Sequence, residues 1–174
     1  ETRYKMANLY KSWGNEKKYL RELKRVISID ATAGKERSDR TRFLAAKSSL
    51  VFAEPAFEKF AVIKLNKPFK KNLKRKKNAM KYAVAKLNKL IKFQVGDVTA
   101  AATYYLAEIY YNFSRSLAES ERPDKLNDIE MEQYELALED QTFPFEEKSI
   151  EVHRKNLELI SVGIYSLWID KSLD

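Results

Sequence analysis

Apolar residues recur along this chain at steps of three and four, the spacing that places side chains on one face of an α-helix. The predicted helices cover residues 2–13, 16–29, 35–65, 67–95, 98–119, 128–140 and 144–172. Gly14 can adopt the left-handed conformation that ends a helix, so the first two helices form a hairpin with a two-residue turn. No segment alternates with the period of two that is typical of a strand. The pattern therefore predicts an all-α fold.

Local signals set several of the expected helix ends. Asn66 is expected to cap the fourth helix, and Asn127 with Glu130 has the spacing of a capping box at the start of the sixth. Pro55 is expected to kink or split the third helix, because its ring displaces the carbonyl four residues back. For the same reason, Pro144 is expected to kink or restart the chain between the sixth and seventh helices.

Each predicted helix carries its apolar residues in a stripe along one face, and these stripes also predict which side chains form the core. Those expected to face inward include Met6, Leu9, Trp13, Leu23, Phe60, Leu87, Ile109, Phe113, Ile129, Leu138 and Ile150. Lys76 interrupts the stripe of the fourth helix where an apolar residue is expected.

Composition narrows the class of protein. Hydrophobic residues make up 44% and charged residues 33% of the chain, which fits a globular domain better than a disordered or membrane-spanning one. The absence of cysteine excludes disulfides, thiol nucleophiles and Cys-ligated zinc, but leaves the redox compartment open. No apolar run approaches the roughly 20 residues of a membrane span. Because the chain starts with Glu1 and shows no signal peptide, we expect a fragment of a longer or processed protein.

Charge is divided unevenly along the chain. Residues 59–96 carry 13 Lys and Arg and no Asp or Glu, whereas residues 97–174 carry 7 basic and 17 acidic residues. The densest basic patch comprises Lys70, Lys71, Lys74, Arg75, Lys76 and Lys77. It could bind nucleic-acid phosphate, anionic lipid, or an acidic protein surface such as the acidic half of a second copy. A solvated helix paired with the acids of its own chain is the interpretation we favour.

The sequence offers little catalytic chemistry. His153 is the only histidine, and a packed side chain bonded to a neighbouring helix explains it better than a metal ligand does. The acidic residues Glu130, Glu132, Glu135, Glu139 and Asp140 form a helix surface rather than a tuned pair. Phosphate-binding, dinucleotide-binding, hydrolase-elbow and zincin motifs do not occur. We expect no enzymatic activity, no metal and no cofactor.

Several motifs carry a resemblance to the tetratricopeptide repeat. In residues 1–34 these are Ala7, Tyr10, Gly14, Val26-Ile27 and Ile29-Asp30, with departures at Tyr19 and Ala31. In residues 66–174 they are Lys67-Pro68, Ala107-Glu108-Ile109-Tyr110, Glu121-Arg122-Pro123, Glu132-Gln133-Tyr134-Glu135, Pro144-Phe145-Glu146-Glu147-Lys148, Gly163-Ile164-Tyr165 and Trp168. The second group resembles one set of bacterial tetratricopeptide-repeat proteins of the Gram-negative cell envelope.

That resemblance implies stacked antiparallel helical hairpins in a right-handed superhelical solenoid, with a protein-interaction role and no catalytic residues. It also implies a periplasmic or envelope location, with the cytoplasm left open. Such stacks expose a surface built from the first helix of each pair. The partner-binding candidates on that surface are Tyr4, Asn8, Lys11, Ser12, Tyr104, Glu108, Tyr111, Asn112 and Arg115.

We therefore expect a single domain over residues 1–174. It comprises a first degenerate repeat at 1–34, long helices with the basic segment at 35–96, and acidic helices at 97–174. The predicted function is a scaffold that binds an unidentified protein partner, with self-association as an open possibility. The alternative is a basic helical module that binds nucleic acid or an anionic membrane surface. The helical placement of the aromatic residues argues against nucleic acid, because none is interleaved with the lysines.

Overall fold

The computed structural model describes residues 1–173 of the chain. The helices within that range are α1 (Thr2–Ser12), α2 (Glu16–Thr32), α3 (Asp39–Ala61), α4 (Phe69–Ile91), α5 (Gly96–Ala118), α6 (Asp128–Leu157) and the short α7 (Leu167–Asp170). Two 3₁₀ segments, Gly34–Glu36 and Glu158–Val162, join them. No strand occurs among the described residues, which confirms the prediction of an all-α fold.

The helices α1 and α2 form the predicted hairpin. Gly14, with φ of 69°, occupies the left-handed conformation expected of the turn. The pairing is antiparallel, because Arg3 near the start of α1 donates to Glu22 of α2 at 3.1 Å, whereas Lys18 stacks on Tyr10 further along. Lys18 also donates its backbone amide to the side chain of the N-cap residue of α2. The connection therefore folds as the predicted tight turn, although it comprises three residues, 13–15, rather than two.

Alternate helices α3 and α5 also contact each other, and they run in the same direction. Lys47, in the third turn of α3, and Asp97, in the first turn of α5, form an ion pair at 2.6 Å. About two turns later, Tyr105 packs against Phe57, with ring centroids 5.0 Å apart, and its hydroxyl lies 3.5 Å from the Glu54 carboxylate. The residue numbers therefore rise together in the two helices.

The main core lies where α3, α4, α5 and α6 meet. Phe60, Leu87, Ile109 and Phe113 are almost fully buried there, as their stripes predict. Three consecutive buried alanines in α5, at positions 100–102, let neighbouring helices approach closely on more than one side. A second, smaller cluster of buried residues is formed by Ala7, Tyr19 and Leu23 of α1 and α2.

The turn between α2 and α3 differs from the expected one. Asp30, predicted to break the second helix, lies buried inside α2, which continues to Thr32. Its carboxylate accepts hydrogen bonds from Arg37 at 2.9–3.1 Å and from Thr41 at 3.0 Å. Ser38 and Thr41 then form a capping box that starts α3. The paired carboxylate explains why a residue typical of turns is tolerated in the helix.

Two further helix-start predictions had opposite outcomes. The capping box of Asn127 and Glu130 is confirmed, with both reciprocal bonds at 2.9 Å. The cap predicted at Asn66 is wrong, because α4 begins only at Phe69 and its N-cap position is Pro68. Asn66 is too far upstream to bond the first amides of the helix, and its carbonyl instead accepts from the side chain of residue 72.

Neither proline splits its helix. Pro55 lies inside α3 and Pro144 inside the 30-residue α6, and each helix continues through its proline. A proline removes one backbone donor and crowds one carbonyl, at a cost of about 3 kcal/mol. Buried neighbours on both sides, such as Ala53 and Ala56 around Pro55, supply packing that offsets this cost.

Part of the predicted core faces solvent. Met6 and Leu9 of α1 are exposed, and so is Trp13 directly after it, because α1 packs on α2 through the side of the helix that carries Ala7. In α6, Ile129 and Ile150 are 69% and 53% exposed. The buried side of α6 instead carries Leu138, Thr142, Phe145, Ser149, Val152 and Asn156.

The C-terminal segment is not the continuous helix predicted to reach residue 172. The helix ends at Leu157, and Gly163 turns the chain with φ of 77°. The Asn156 side chain donates to the Trp168 carbonyl at 3.1 Å and bonds to Ser172 at 2.9 Å. These bonds fold α7 back against α5 and α6.

Candidate functional site

Lys76 does not belong to the basic surface predicted around it. Its side chain is fully buried and points toward the end of α3. The ammonium group donates to the Ile63 carbonyl at 2.8 Å and to Asn112 Oδ1 at 2.7 Å, with the Phe60 carbonyl at 3.4 Å. It also lies 4.4 Å from the centre of the Phe60 ring. The lysine therefore occupies the apolar stripe as a structural cation.

Burial lowers the pKa of Lys76 to about 8, because removal from water penalises the charged form. Its acceptors are carbonyl and amide oxygens rather than a carboxylate. The carbonyls of Phe60 and Ile63 lie at the C-terminal end of α3, where a positive charge is favourable. This environment ties α3, α4 and α5 together at one point.

The other members of the basic patch are exposed, as predicted. They are Lys70, Lys71, Lys74, Arg75 and Lys77. Within the described chain, none of them lies in an ion pair, so the expected pairing with the acids of the same chain is wrong. Lys70, Lys74 and Lys77 follow one row of α4, which Lys81 continues. This face of α4 is an uncompensated positive surface.

A groove lies between α2 and α4, over α3. Both α2 and α4 pack against α3, whose residues Ser49, Phe52 and Ala53 line the groove. Its volume is about 600 Å³. Ile27 and Phe93 add to an apolar floor. We call this feature the basic groove because of the side chains around it.

The rim of the basic groove carries five cations and no carboxylate. They are Lys24, Arg37, Lys86, Lys89 and Lys92. Arg37 is paired with Asp30 and lies 5.9 Å from the Phe93 ring centre, and Lys24 lies 5.8 Å from that of Phe52. The four lysines have no ion-pair partner among the residues described. The groove therefore combines apolar surface with unbalanced positive charge.

The basic groove is absent from the expectations drawn from sequence. Lys24 and Lys89 are far apart in the chain, and only the packing of α2 and α4 on the same side of α3 brings them together. A sequence signal existed in the lack of acids over residues 59–96. It pointed to α4 but could not identify the opposite wall.

The partner-binding candidates of α1 lie on an open surface. Asn8, Lys11 and Ser12 are exposed, whereas Tyr4 is half-buried and packs against the small core of the first hairpin. Their role in binding remains a prediction.

The candidates of α5 divide into two groups. Tyr111 and Arg115 are exposed, with the guanidinium 5.8 Å from the ring centre. Tyr104 and Glu108 are half-buried beneath the C-terminal segment, where Tyr104 packs on Trp168 with ring centroids 5.6 Å apart. Asn112 is the remaining candidate, and it is engaged by the buried Lys76. Tyr111 and Arg115 are therefore the most exposed candidates of α5.

His153 packs as a partly buried side chain. Its Nδ1 lies 3.1 Å from Ser172 Oγ, its Nε2 lies 3.6 Å from Glu108, and its ring contacts Tyr104. Burial lowers the pKa of His153 and raises that of Glu108, so each is shifted toward its neutral form. No group of three or more His, Cys, Asp or Glu side chains in the described chain could hold a metal ion.

Two further observations bear on the class of protein. No helix over residues 1–173 combines the length and apolar character needed to cross a membrane. Comparisons with protein-family models, curated proteins and solved structures returned no match. The geometry of the basic groove and of α4 therefore carries the functional argument.

Proposed function

We propose that this protein is a non-catalytic interaction module that binds a protein partner through the basic groove. The observation that carries the proposal is the combination of an apolar floor with a rim of five cations and no carboxylate. An apolar floor gains free energy by excluding water, and unbalanced cations favour an acidic partner over others. The chemistry fits an amphipathic helix whose apolar stripe is bordered by Asp and Glu.

The proposal includes a tetratricopeptide-like stacking of hairpins. Support comes from the antiparallel packing of α1 on α2 and from the parallel contact of the alternate helices α3 and α5. In stacked hairpins, the first helices of neighbouring pairs meet in this way. A place in a bacterial envelope assembly rests on the sequence resemblance alone.

A designed acidic helical peptide tests the groove. The peptide carries a leucine every seven residues with flanking glutamates, and a scrambled peptide of equal composition is the reference. We expect the patterned peptide to bind and the Lys86→Glu/Lys89→Glu variant to weaken its affinity about tenfold or more. Fluorescence anisotropy at two salt concentrations measures both effects.

A matched control uses two lysines of the same helix outside the groove. Lys70→Glu/Lys74→Glu makes the same change in net charge on the exposed row of α4. The affinity of this variant should stay within about twofold of the wild type, since screening weakens charges that are distant from the peptide. Equal losses in the two variants, or equal binding of the scrambled peptide, would refute a groove-specific site.

A second candidate function is favoured by the unpaired cations of α4. The row of Lys70, Lys74 and Lys77 could bind an anionic membrane surface or nucleic acid through its charge alone. Binding to phosphatidylglycerol vesicles or to random duplex DNA should then fall steeply with salt. It should be lost in Lys70→Glu/Lys74→Glu but kept in Lys86→Glu/Lys89→Glu. The reverse pattern would remove this candidate.

A further inference from the structure

An exposed apolar stripe follows the outer side of α6. Ile129, Leu136, Phe143 and Ile150 are spaced seven residues apart, and each is more than half exposed. At 1.5 Å per residue, the stripe is about 32 Å long. It lies opposite the side of α6 that packs on α5, because the buried Leu138 is two residues, or about 200°, from Leu136. We call this apolar row, together with the carboxylates that border it, the acidic stripe.

Carboxylates border the acidic stripe on both sides. Glu132 and Glu139 lie three residues after stripe members, and Asp140 and Glu147 lie four residues after them. All four are exposed and have no ion-pair partner among the described residues. A helix face with an apolar row between two unpaired acidic rows is the ligand expected for the basic groove.

We propose that the basic groove of one copy receives the acidic stripe of a second copy. This inference rests on the proposed function, since it names the partner of the groove. The apolar stripe would cover the floor at Phe52 and Phe93, while Glu139 and Asp140 face the lysines of the rim. Leu136 and Phe143 are the expected anchors, because Glu139 and Asp140 lie between them.

Charge determines how two copies can meet. A contact of stripe with stripe would oppose two acidic surfaces, and a contact of groove with groove would oppose two basic rims, so both are electrostatically unfavourable. Of these three contacts, only stripe against groove joins opposite charges. The two surfaces lie on different helices of the same chain, so a dimer joined by one such contact is head-to-tail and keeps one free groove and one free stripe.

Sedimentation velocity over a range of protein concentrations tests the assembly. We expect the wild-type mass to rise with concentration and to fall again in high salt. Glu139→Lys/Asp140→Lys should remain monomeric, and so should Lys86→Glu/Lys89→Glu. The control Lys70→Glu/Lys74→Glu should associate like the wild type. The altered side chains lie at the surface, and helical circular dichroism with thermal unfolding verifies that each variant is folded.

Mixing the stripe variant Glu139→Lys/Asp140→Lys with the groove variant Lys86→Glu/Lys89→Glu gives the sharpest result. The first variant keeps the basic groove and the second keeps the acidic stripe, and the lysines introduced into one stripe are complementary to the glutamates introduced into the other groove. The mixture should therefore associate, although neither variant associates alone. A wild type that stays monomeric at every concentration would overturn the inference. Association of either variant alone would also overturn it, and so would a mixture of the two that does not associate. Groove-dependent binding of the designed peptide in the absence of self-association would refute this inference while retaining the proposed function.

Discussion

At the level of single residues, the ammonium group of Lys76 lies among three oxygen acceptors and the ring of Phe60. Hydrogen bonds and the ring favour the charged form, whereas burial favours the neutral form. Burial prevails, and it lowers the pKa from 10.5 to about 8. The free energy of unfolding should therefore depend on the titration of Lys76 between about pH 8 and 10.5.

The sign follows from proton binding. Between about pH 8 and 10.5 the unfolded chain keeps the Lys76 proton that the folded protein releases, so stability should rise with pH in this interval. The gain is on the order of 3 kcal/mol. Urea unfolding of the wild type and of Lys76→Met measures it, because groups common to both proteins cancel in the difference. Parallel stability curves for the two proteins would contradict the prediction.

Sequence alone identified Lys76 as an irregularity but assigned it to the wrong surface. The stripe of α4 marked its position as inward, whereas its charge placed it with its basic neighbours. Its acceptors come from the end of α3 and from Asn112 of α5. Those contacts depend on how three helices meet, which the periodicity of one helix does not specify.

At the level of helices, α6 depends on its N-terminal cap. Asn127 accepts from the Glu130 amide, and Glu130 bonds back to the Asn127 amide, so two otherwise unpaired donors are satisfied. We expect Asn127→Ala to lower the free energy of unfolding by about 1 kcal/mol. Gln133→Ala, on the exposed side of the same helix, should change it by less than about 0.5 kcal/mol. Chemical denaturation measures both, and equal effects would show that the cap is not the cause.

Local signals predicted helix ends where the chemistry is local, as at Gly14 and Asn127. They failed where tertiary packing prevails, as at Pro144, which lies inside α6 rather than between two helices. The basic groove could not be predicted for the same reason, since its walls come from helices that meet only through α3. Periodicity identifies a helix but not the neighbours that cover its faces.

At the level of the whole molecule, the core is divided into two clusters. Ala7, Tyr19 and Leu23 form a small cluster in the α1–α2 hairpin, apart from the main cluster of α3 to α6. Stacked hairpins are stabilised within each unit and across nearest-neighbour interfaces, so they can open from one end. A single cooperative core would open as a whole. Hydrogen exchange distinguishes these two cases, provided that one hairpin can be destabilised selectively.

Ala7→Leu provides that selective change. Ala7 is fully buried against Tyr19 and Leu23, so the added carbons should overpack this cluster at a cost of about 1–3 kcal/mol. If the hairpins are stacked, amide exchange should accelerate in α1 and α2 while α5 and α6 keep their wild-type protection. Asn8→Leu places the same side chain on the exposed side of α1 and should leave exchange unchanged. Acceleration of equal size in every helix would show one cooperative unit and would count against a solenoid.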